Sequence, residues 1–232
     1  MPTILWNRRW ALDLNRHLLA GDKFPYGLQW GDPHVEGIRY YWNRCFTARR
    51  SSGHLCRVVS NYIRPYVNKG SIALEIGFGG GRWTEFLLAA REIVLVELDP
   101  EFFVYVSKRF PEHLSRFRFY QTSGYELDGV EGSSIDSAFS FGTFLHIEIS
   151  GIEGYLTSLE RVLRPGGTAV LHHSDTSKPY FKNISMERRE AFTNMNCSTM
   201  QRLIAERRFE IVDHNRTLLR HSAIVVIRRR AD

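Results

Sequence analysis

The sequence is poor in cysteine, with three among its 232 residues, at Cys45, Cys56 and Cys197. An odd number of scattered cysteines forms neither a disulfide framework nor a Cys-x-x-Cys metal pair. Long hydrophobic runs are also missing, since no window approaches the roughly 18 uninterrupted apolar residues of a membrane-spanning helix. The N-terminal segment is interrupted by charge from Arg8 onward and lacks the apolar core of a signal peptide. These absences predict a cytoplasmic protein with reduced thiols and no membrane partner.

An excess of one charge sign is present but modest, because 31 Lys and Arg against 25 Asp and Glu give a net charge of +6. A solvated basic surface explains this excess, and so does a polyanionic partner such as nucleic acid. The basic residues are not gathered into one tract, and the run at residues 228–230 fits an exposed strand end. Nucleic acid is therefore the weaker interpretation, and the sequence leaves a homodimer open.

The most informative segment is a glycine cluster that follows an apolar run. Residues 71–76 predict a buried strand, four glycines follow within residues 77–81, and a helical pattern opens at Trp83. A strand, a tight turn and a helix N-terminus form the place where an α/β sheet binds a nucleotide-like cofactor. Glycines there let the backbone approach the ligand closely. A dinucleotide fingerprint needs its third glycine at position 82, and Arg82 stands there instead.

Downstream of residue 70, strand and helix patterns alternate, which indicates a parallel sheet. The predicted strands are residues 72–76, 93–98, 117–121, 135–141, 168–172, 209–213 and 223–227, the last two as an antiparallel pair. The predicted helices are residues 83–90, 100–109 and 152–163, followed by one that reaches Arg207. A capping box, Ser198-x-x-Gln201, marks the start of this last helix.

Upstream of residue 70, residues 38–46 and 55–63 have helical period, and Pro65 should stop the second helix. An aromatic, turn-rich stretch at residues 24–33 precedes them. It is either a loop packed by its own rings or a lid over a ligand. We therefore predict an N-terminal helical and aromatic cap in residues 1–69, with Tyr26 and Trp30 as lid residues, and a sheet domain in residues 70–232.

Two sequence marks together resemble the class I S-adenosylmethionine methyltransferases. They are the Glu-x-Gly-x-Gly-x-Gly motif at residues 75–81 and the Pro-Gly-Gly turn at residues 165–167 before the fifth strand. The resemblance covers roughly residues 70–230. It implies an α/β fold with a Rossmann-like, seven-stranded class I methyltransferase sheet, and S-adenosylmethionine as the cofactor.

The resemblance also implies roles for individual residues. Glu75 would meet the methionine half of the cofactor. Glu97 would accept both ribose hydroxyls, with Asp99 as a rival whose alternative role is to cap the next helix. Ser123 stands where the family often has an acidic residue facing the adenine amine, so backbone groups and stacking by Tyr125 could replace that contact. The cofactor-binding candidates are Glu75, Gly77, Gly79, Gly81, Trp83, Glu97, Leu98, Ser123, Gly124, Tyr125, Ser140 and Phe141.

Methyl transfer from a sulfonium to a hydroxyl needs an aligned nucleophile and a base that removes its proton. His146 lies just beyond the fourth strand, at the carboxyl edge where ligands bind. Its reference pKa of about 6.5 suits a base near neutral pH, and a structural histidine is the alternative. Glu148 shares a face with His146 in an extended segment, so it could orient the imidazole or join a metal site.

The fifth strand ends in two further histidines, His172 and His173, as candidate catalytic residues. Strand alternation places one of them toward the pocket without saying which. A second candidate group is a site for a divalent metal such as Mg²⁺, made of His146, Glu148, His173 and Asp175. Because no tight spacing demands this site, metal dependence stays open.

The segments at residues 134–146 and 172–175 look like those of small bacterial O-methyltransferases that act on sugars and natural products, such as the mycobacterial enzymes that methylate mannose polysaccharide precursors. This resemblance implies transfer to a hydroxyl of a small, saccharide-like molecule. Residues 176–197, with Tyr26, Trp30 and Asp175, would then form the substrate site and its lid, and a plain surface loop is the alternative.

Two other functions stay in view. A nucleic acid methyltransferase fits the charge, but base amino-group methylation typically uses a proline-containing loop after the fourth strand. Residues 140–143 contain no proline and no cysteine nucleophile. A non-catalytic module that binds the cofactor is the third reading, and it would keep the glycine motif without a working base.

Overall fold

The computed structural model describes residues 57–186, 189 and 192–231. Most of the predicted cap, with the helix at residues 38–46 and the lid residues Tyr26 and Trp30, lies outside these described residues. The cap and the domain boundary near residue 70 stay predictions. Within the described part of the predicted helix at residues 55–63, Val59–Ile63 form a π-helical segment, and Arg64 ends it before Pro65.

A seven-stranded sheet forms the centre of the described chain. Its strands are β1 (Ile72–Ile76), β2 (Glu92–Glu97), β3 (Phe117–Gln121), β4 (Ile135–Ser140), β5 (Leu163–Ser174), β6 (Phe209–Asn215) and β7 (Ser222–Arg229). Their order in the sheet is β3-β2-β1-β4-β5-β7-β6. Strand β7 is antiparallel to both β5 and β6, and the other pairs are parallel. The predicted α/β, Rossmann-like class I methyltransferase sheet is confirmed, with its antiparallel final pair.

Within the described residues, four α-helices connect and cover the strands. They are α1 (Thr84–Leu87), α2 (Glu101–Arg109), α3 (Ile149–Val162) and α4 (Cys197–Ala205). Short 3₁₀ helices span Pro111–Arg116, Thr143–Leu145 and Pro179–Lys182. Helix α1 is shorter than the predicted residues 83–90, because the Ala90 amide donates to the Leu87 carbonyl at 2.8 Å and closes a turn instead.

The capping box predicted at Ser198 was wrong. The N-cap of α4 is Asn196, whose extended backbone turns its side chain toward the helix, so that Oδ1 accepts from the Thr199 amide at 2.9 Å. Ser198 lies inside the first turn. Asparagine is as good an N-cap as serine, so the two local patterns were close competitors.

The Pro-Gly-Gly turn lies within β5 rather than before it. Ile135 of β4 pairs with Leu163, and Ser137 pairs with Thr168, so residues 164–167 loop out opposite Asp136. Asp136 fixes this irregularity, since its carboxylate accepts from Arg164 Nη1 at 2.8 Å and from the Ile72 amide at 2.7 Å.

Apolar side chains cover both faces of the sheet, as expected for parallel strands. Leu74 packs with Leu156 of α3 on one face, and Leu95 packs with Phe139 on the other. Because adjacent residues of a strand point to opposite faces, each strand is packed on both sides. This packing holds the strand ends in place at the carboxyl edge. Among the described residues, no helix is long and apolar enough to cross a bilayer.

Candidate active site

A pocket opens at the carboxyl ends of β1, β2 and β4. In the sheet order, β2 and β3 lie on one side of β1, while β4 and β5 lie on the other. This is the switch point at which open α/β sheets bind ligands. The lining residues are Gly77, Val96, Glu97, Leu98, Thr122, Gly124, Tyr125, Thr143, Ile147 and Tyr155.

The glycine turn after β1 forms one wall of the pocket. Gly77 has φ +71°, a left-handed conformation that favours glycine. A Cβ at this position would overlap the side chain of Thr143, which packs directly against the turn. The turn itself is held by the Gly77 amide, which donates to the Val96 carbonyl at 2.8 Å. Only glycine fits both this backbone and this contact.

Glu97 ends β2, the strand beside β1, and its carboxylate holds the glycine turn in place. Its Oε2 accepts from the Gly79 amide at 3.1 Å, and its Oε1 accepts from the Leu98 amide at 2.8 Å. The side chain is partly exposed to the pocket, yet desolvation by the surrounding protein raises its pKa to about 7. The Asp99 amide also donates to this carboxylate, so about one of its roughly four lone-pair sites stays available for a ligand hydroxyl.

Glu75 is almost completely buried beneath the turn. Its Oε2 accepts from Thr84 Oγ1 at 2.6 Å, at the start of α1. Burial raises the pKa of this carboxyl to about 8, and the nearby charge of Glu97 adds to the shift. Two acids with raised pKa values therefore stand side by side, which favours a cationic ligand.

Asp99, the rival of Glu97 in the sequence analysis, caps the next helix instead. Its Oδ1 accepts from the Glu101 amide at 3.0 Å, at the start of α2.

The opposite wall comes from the segment after β3. Thr122, Gly124 and Tyr125 line the pocket, while Ser123 is exposed and does not. Tyr125 lies against α3, where a Cβ at Gly151 would overlap its ring and a Cβ at Gly154 would lie 2.9 Å from its carbonyl oxygen.

The end of β4 supports the pocket rather than lining it. Ser140 is buried and its Oγ donates to the Ile76 carbonyl at 2.9 Å. Phe141 lies between two rings, with its centroid 4.5 Å from that of Trp83 and 3.9 Å from that of His172. The lining residue here is Thr143, two residues beyond the predicted Phe141.

His172 is fully engaged in the interior. Its Nδ1 accepts from the Gly142 amide at 3.1 Å, and its Nε2 lies 2.7 Å from Ser222 Oγ. With Nδ1 accepting, the neutral ring carries its proton on Nε2 and donates it to Ser222. Burial lowers the pKa of His172 well below its usual range. No lone pair is left for a substrate proton, so we assign His172 a positioning role.

His173 points to the other face of the sheet. Its Nδ1 lies 2.7 Å from the Ser174 carbonyl oxygen, and its Nε2 lies 3.0 Å from Nε2 of His214.

The predicted metal group of His146, Glu148, His173 and Asp175 is not brought together. Among the described residues, His173 groups instead with Cys197 and His214. Alternation along β5 is the reason, because it separates His173 from the pocket side of the sheet.

His146 lies beyond the pocket, at the end of the 3₁₀ helix Thr143–Leu145, and is half-buried. Its ring centroid is 5.8 Å from that of Phe192, which is 5.3 Å from that of His221. Tyr180 lies 5.4 Å from His221. We call Tyr180, Phe192 and His221 the aromatic wall. Glu148 is exposed.

Tyr180 and Phe192 lie within residues 176–197, the predicted lid segment, although neither was singled out there. His221 and Tyr155 were missed. A signal for His221 existed, because it directly precedes β7, and β7 runs antiparallel to β5 with Ser222 opposite Ser174. The start of an antiparallel final strand therefore meets the carboxyl edge. Burial lowers the pKa of His221, and the charges of Lys178 and His146 lower it further.

The comparisons with known proteins agree with this geometry. Residues 73–167 match the sequence model of a methyltransferase domain. No sequence match was found among curated proteins. The fold and this match together support a class I methyltransferase with S-adenosylmethionine as its cofactor.

Solved structures share the fold at low sequence identity. A SAM-dependent methyltransferase from Aquifex aeolicus has a TM-score of 0.59 at 12% identity, covering 75% of this chain and 92% of its own. The 1,6-didemethyltoxoflavin N1-methyltransferase of Burkholderia thailandensis, with S-adenosylhomocysteine bound, has a TM-score of 0.57 at 20% identity, covering 75% and 78%. The [4+2]-cyclase SpnF has a TM-score of 0.64 at 12% identity, covering 82% and 86%. The fold therefore does not by itself determine the reaction.

Proposed function

We propose that this protein transfers a methyl group from S-adenosylmethionine to a hydroxyl of a small, saccharide-like molecule, with His146 as the general base. The observation behind this proposal is the position of His146 and the aromatic wall, next to the 3₁₀ helix that begins at the pocket-lining Thr143. A homodimer and a cytoplasmic location stay predictions.

The pocket fits the proposed cofactor in two respects. Glu97 keeps acceptor capacity at the end of β2 for a ribose hydroxyl, and the left-handed glycine turn leaves the backbone uncovered. The raised pKa values of Glu75 and Glu97 fit a ligand that brings positive charge into the pocket. When bound, S-adenosylmethionine supplies an activated methyl group on its sulfonium.

The chain's own residues supply the remaining requirements. Thr122, Gly124 and Tyr125 form the wall for the adenine end, and Tyr125 is fixed there by α3. His146 would take the proton of the acceptor hydroxyl, and Phe192 and Tyr180 offer faces on which a sugar ring can stack. His172 holds the backbone at Gly142, the residue that precedes the pocket-lining Thr143.

A panel of acceptors with methyl-labelled S-adenosylmethionine tests the proposal. It should contain saccharides, phenols, amines and tRNA, each with and without a chelator. We expect label in a hydroxyl acceptor and unchanged activity with chelator. Label in tRNA or in amines alone would contradict the hydroxyl proposal, and no transfer to any acceptor despite cofactor binding would favour the binding-module reading.

The base is tested by His146→Ala on the acceptor that the panel identifies. Loss of general base catalysis typically costs about 10²–10⁴-fold in rate, so kcat should fall by that range while cofactor affinity, measured by calorimetry, stays within about twofold. His113→Ala, on the 3₁₀ helix Pro111–Arg116, is the matched control. Full turnover by His146→Ala would overturn this role.

A further inference from the structure

We propose that His173, His214 and Cys197 form a binding site for a zinc-type divalent cation, on the opposite face of the sheet from His172. One ligand atom from each residue lies within 4.8 Å of the other two. The three residues come from β5, β6 and the first turn of α4, so a cation there would fasten three elements that are distant in sequence. The inference does not depend on the acceptor or on the proposed reaction.

The ligand types suit zinc. One thiolate and two imidazoles are the nitrogen and sulfur donors that structural zinc sites use, with Zn–N of about 2.0–2.1 Å and Zn–S of about 2.3 Å. In such a tetrahedral site the ligand atoms stand roughly 3.3–3.6 Å apart. The two facing Nε2 atoms are 3.0 Å apart, so a shift of a few tenths of an ångström would admit the ion between them.

His173 is oriented as a metal-binding histidine is. Its Nδ1 donates to the Ser174 carbonyl at 2.7 Å, which fixes the tautomer and leaves the Nε2 lone pair facing His214. Histidine ligands almost always donate their second ring nitrogen to a carbonyl or carboxylate in this way. The side chain is fully buried, so its direction is set by packing.

His214 faces His173 directly, with the two Nε2 atoms 3.0 Å apart. Because Nε2 of His173 accepts, Nε2 of His214 must donate in the cation-free protein, and its Nδ1 is then unprotonated. In the bound state the cation would take the place of this shared proton, with one bond to each Nε2 atom in place of the single hydrogen bond between them. Nδ1 of His214 points away from His173, so it does not take part in the site.

Cys197 completes the group from α4. Its thiol donates to Asp175 Oδ2 at 3.3 Å, and Arg216 Nε donates to the same oxygen at 3.2 Å. On binding, the Sγ–H bond breaks, an Sγ–metal bond forms, and the thiol proton passes by way of Asp175 to solvent. The proton of His214 moves from Nε2 to Nδ1, so one proton is released for each cation bound. Arg216 offsets the negative charge of Asp175, and a water molecule can take the fourth position.

Titration of the chelator-treated full chain with Zn²⁺ and with Co²⁺ tests this site. We expect one zinc per chain by elemental analysis, a rise in Tm with Zn²⁺, and a sulfur-to-cobalt charge-transfer band with tetrahedral visible bands for Co²⁺. These signals should be lost in Cys197→Ser and in His214→Gln.

Two matched controls keep the outcome clear. The Cys45→Ser/Cys56→Ser variant removes the other two thiols, and His113→Gln removes a histidine from outside the cluster. Both should keep stoichiometric zinc and the cobalt band. If Cys197→Ser or His214→Gln fails to fold, the wild-type cobalt spectrum still decides, because the absence of the charge-transfer band overturns the proposal. Unchanged zinc content in both folded cluster variants overturns it as well.

Discussion

Glu97 combines two tasks at one carboxylate, since it holds the glycine turn and faces the pocket. Glu97→Gln should weaken S-adenosylmethionine binding by roughly 10–100-fold, because hydrogen bonds to a charged acceptor contribute about 1.5–3 kcal/mol. Calorimetric titration measures the change. Glu92→Gln, at the other end of β2, is the control and should leave affinity unchanged. Equal affinity in the two variants would remove Glu97 from the cofactor site.

Gly77 tests whether the turn needs glycine for space as well as for backbone conformation. Gly77→Ala should lower stability and abolish measurable cofactor binding, because its Cβ would overlap Thr143. Gly166→Ala is the matched control, since Gly166 has φ +79° and open space around its Cβ. The control should lose only the backbone strain of about 1–2 kcal/mol, with binding intact. Denaturant unfolding and titration compare the two, and equal binding losses would contradict the steric reason.

At the residue scale, the pocket-lining residues Gly77 and Glu97 could be predicted from the sequence, because they follow directly from the ends of two buried strands. The cofactor contacts assigned to them and to Glu75 stay predictions. The histidines were harder. His172 and His173 were recognised as a pair, but alternation alone could not say that His172 would be tied to Gly142 and Ser222. The neighbours of His146 come from segments more than 30 residues away, and sheet register decides their meeting.

Among the elements, α4 offers a direct test of its cap. Asn196→Ala should cost about 1 kcal/mol of stability, or roughly 2–4 °C in Tm for a chain of this size. Ser198→Ala should stay within about 0.5 kcal/mol, because Ser198 is exposed inside the first turn. Thermal unfolding by circular dichroism compares them. The opposite ranking would restore the capping box.

Strands β1, β2 and β7 were predicted closely because each is a short, mostly apolar run whose residues are buried in the sheet. Strands β3 and β6 are largely exposed, and turn signals at their ends located them instead. The helix boundaries were less accurate, since they depend on competing local hydrogen bonds such as the turn at Ala90 and the cap at Asn196. The loop within β5 could not be predicted as a bulge, because it exists only through pairing with β4 and the contact of Arg164 with Asp136.

For the whole molecule, the two acids with raised pKa values, Glu75 and Glu97, predict a pH dependence of stability. Glu75 and Glu97 have folded pKa values of about 8 and about 7, above the ordinary value of 4.5. Between pH 4.5 and these raised values, the folded state binds more protons than the unfolded state. The free energy of unfolding therefore falls as pH rises. The buried histidines have lowered pKa values, so they affect the pH dependence of stability below about pH 6.5. The carboxyl groups therefore dominate this dependence from about pH 7 to 8.5.

We therefore expect the free energy of unfolding to fall between about pH 7 and 8.5, with a slope on the order of 1 kcal/mol per pH unit. Tm should fall with it. The Tm increase caused by S-adenosylmethionine should grow over the same range, and less so for S-adenosylhomocysteine, which lacks the sulfonium charge. Differential scanning fluorimetry across pH measures both. Glu75→Gln should flatten the slope, and an unchanged slope in this variant would assign the dependence to other groups.

The ring of His172 joins two backbone segments, at Gly142 and at Ser222. One segment borders the cofactor pocket and the other carries the aromatic wall through His221. A grafted loop between β6 and β7 would therefore alter the pocket through a single shared side chain. If the aromatic wall binds the acceptor, as we propose, exchanging that loop would change the cofactor pocket as well as the acceptor site. A redesign of acceptor range would therefore keep or replace residues 141–143, His172 and Ser222 together.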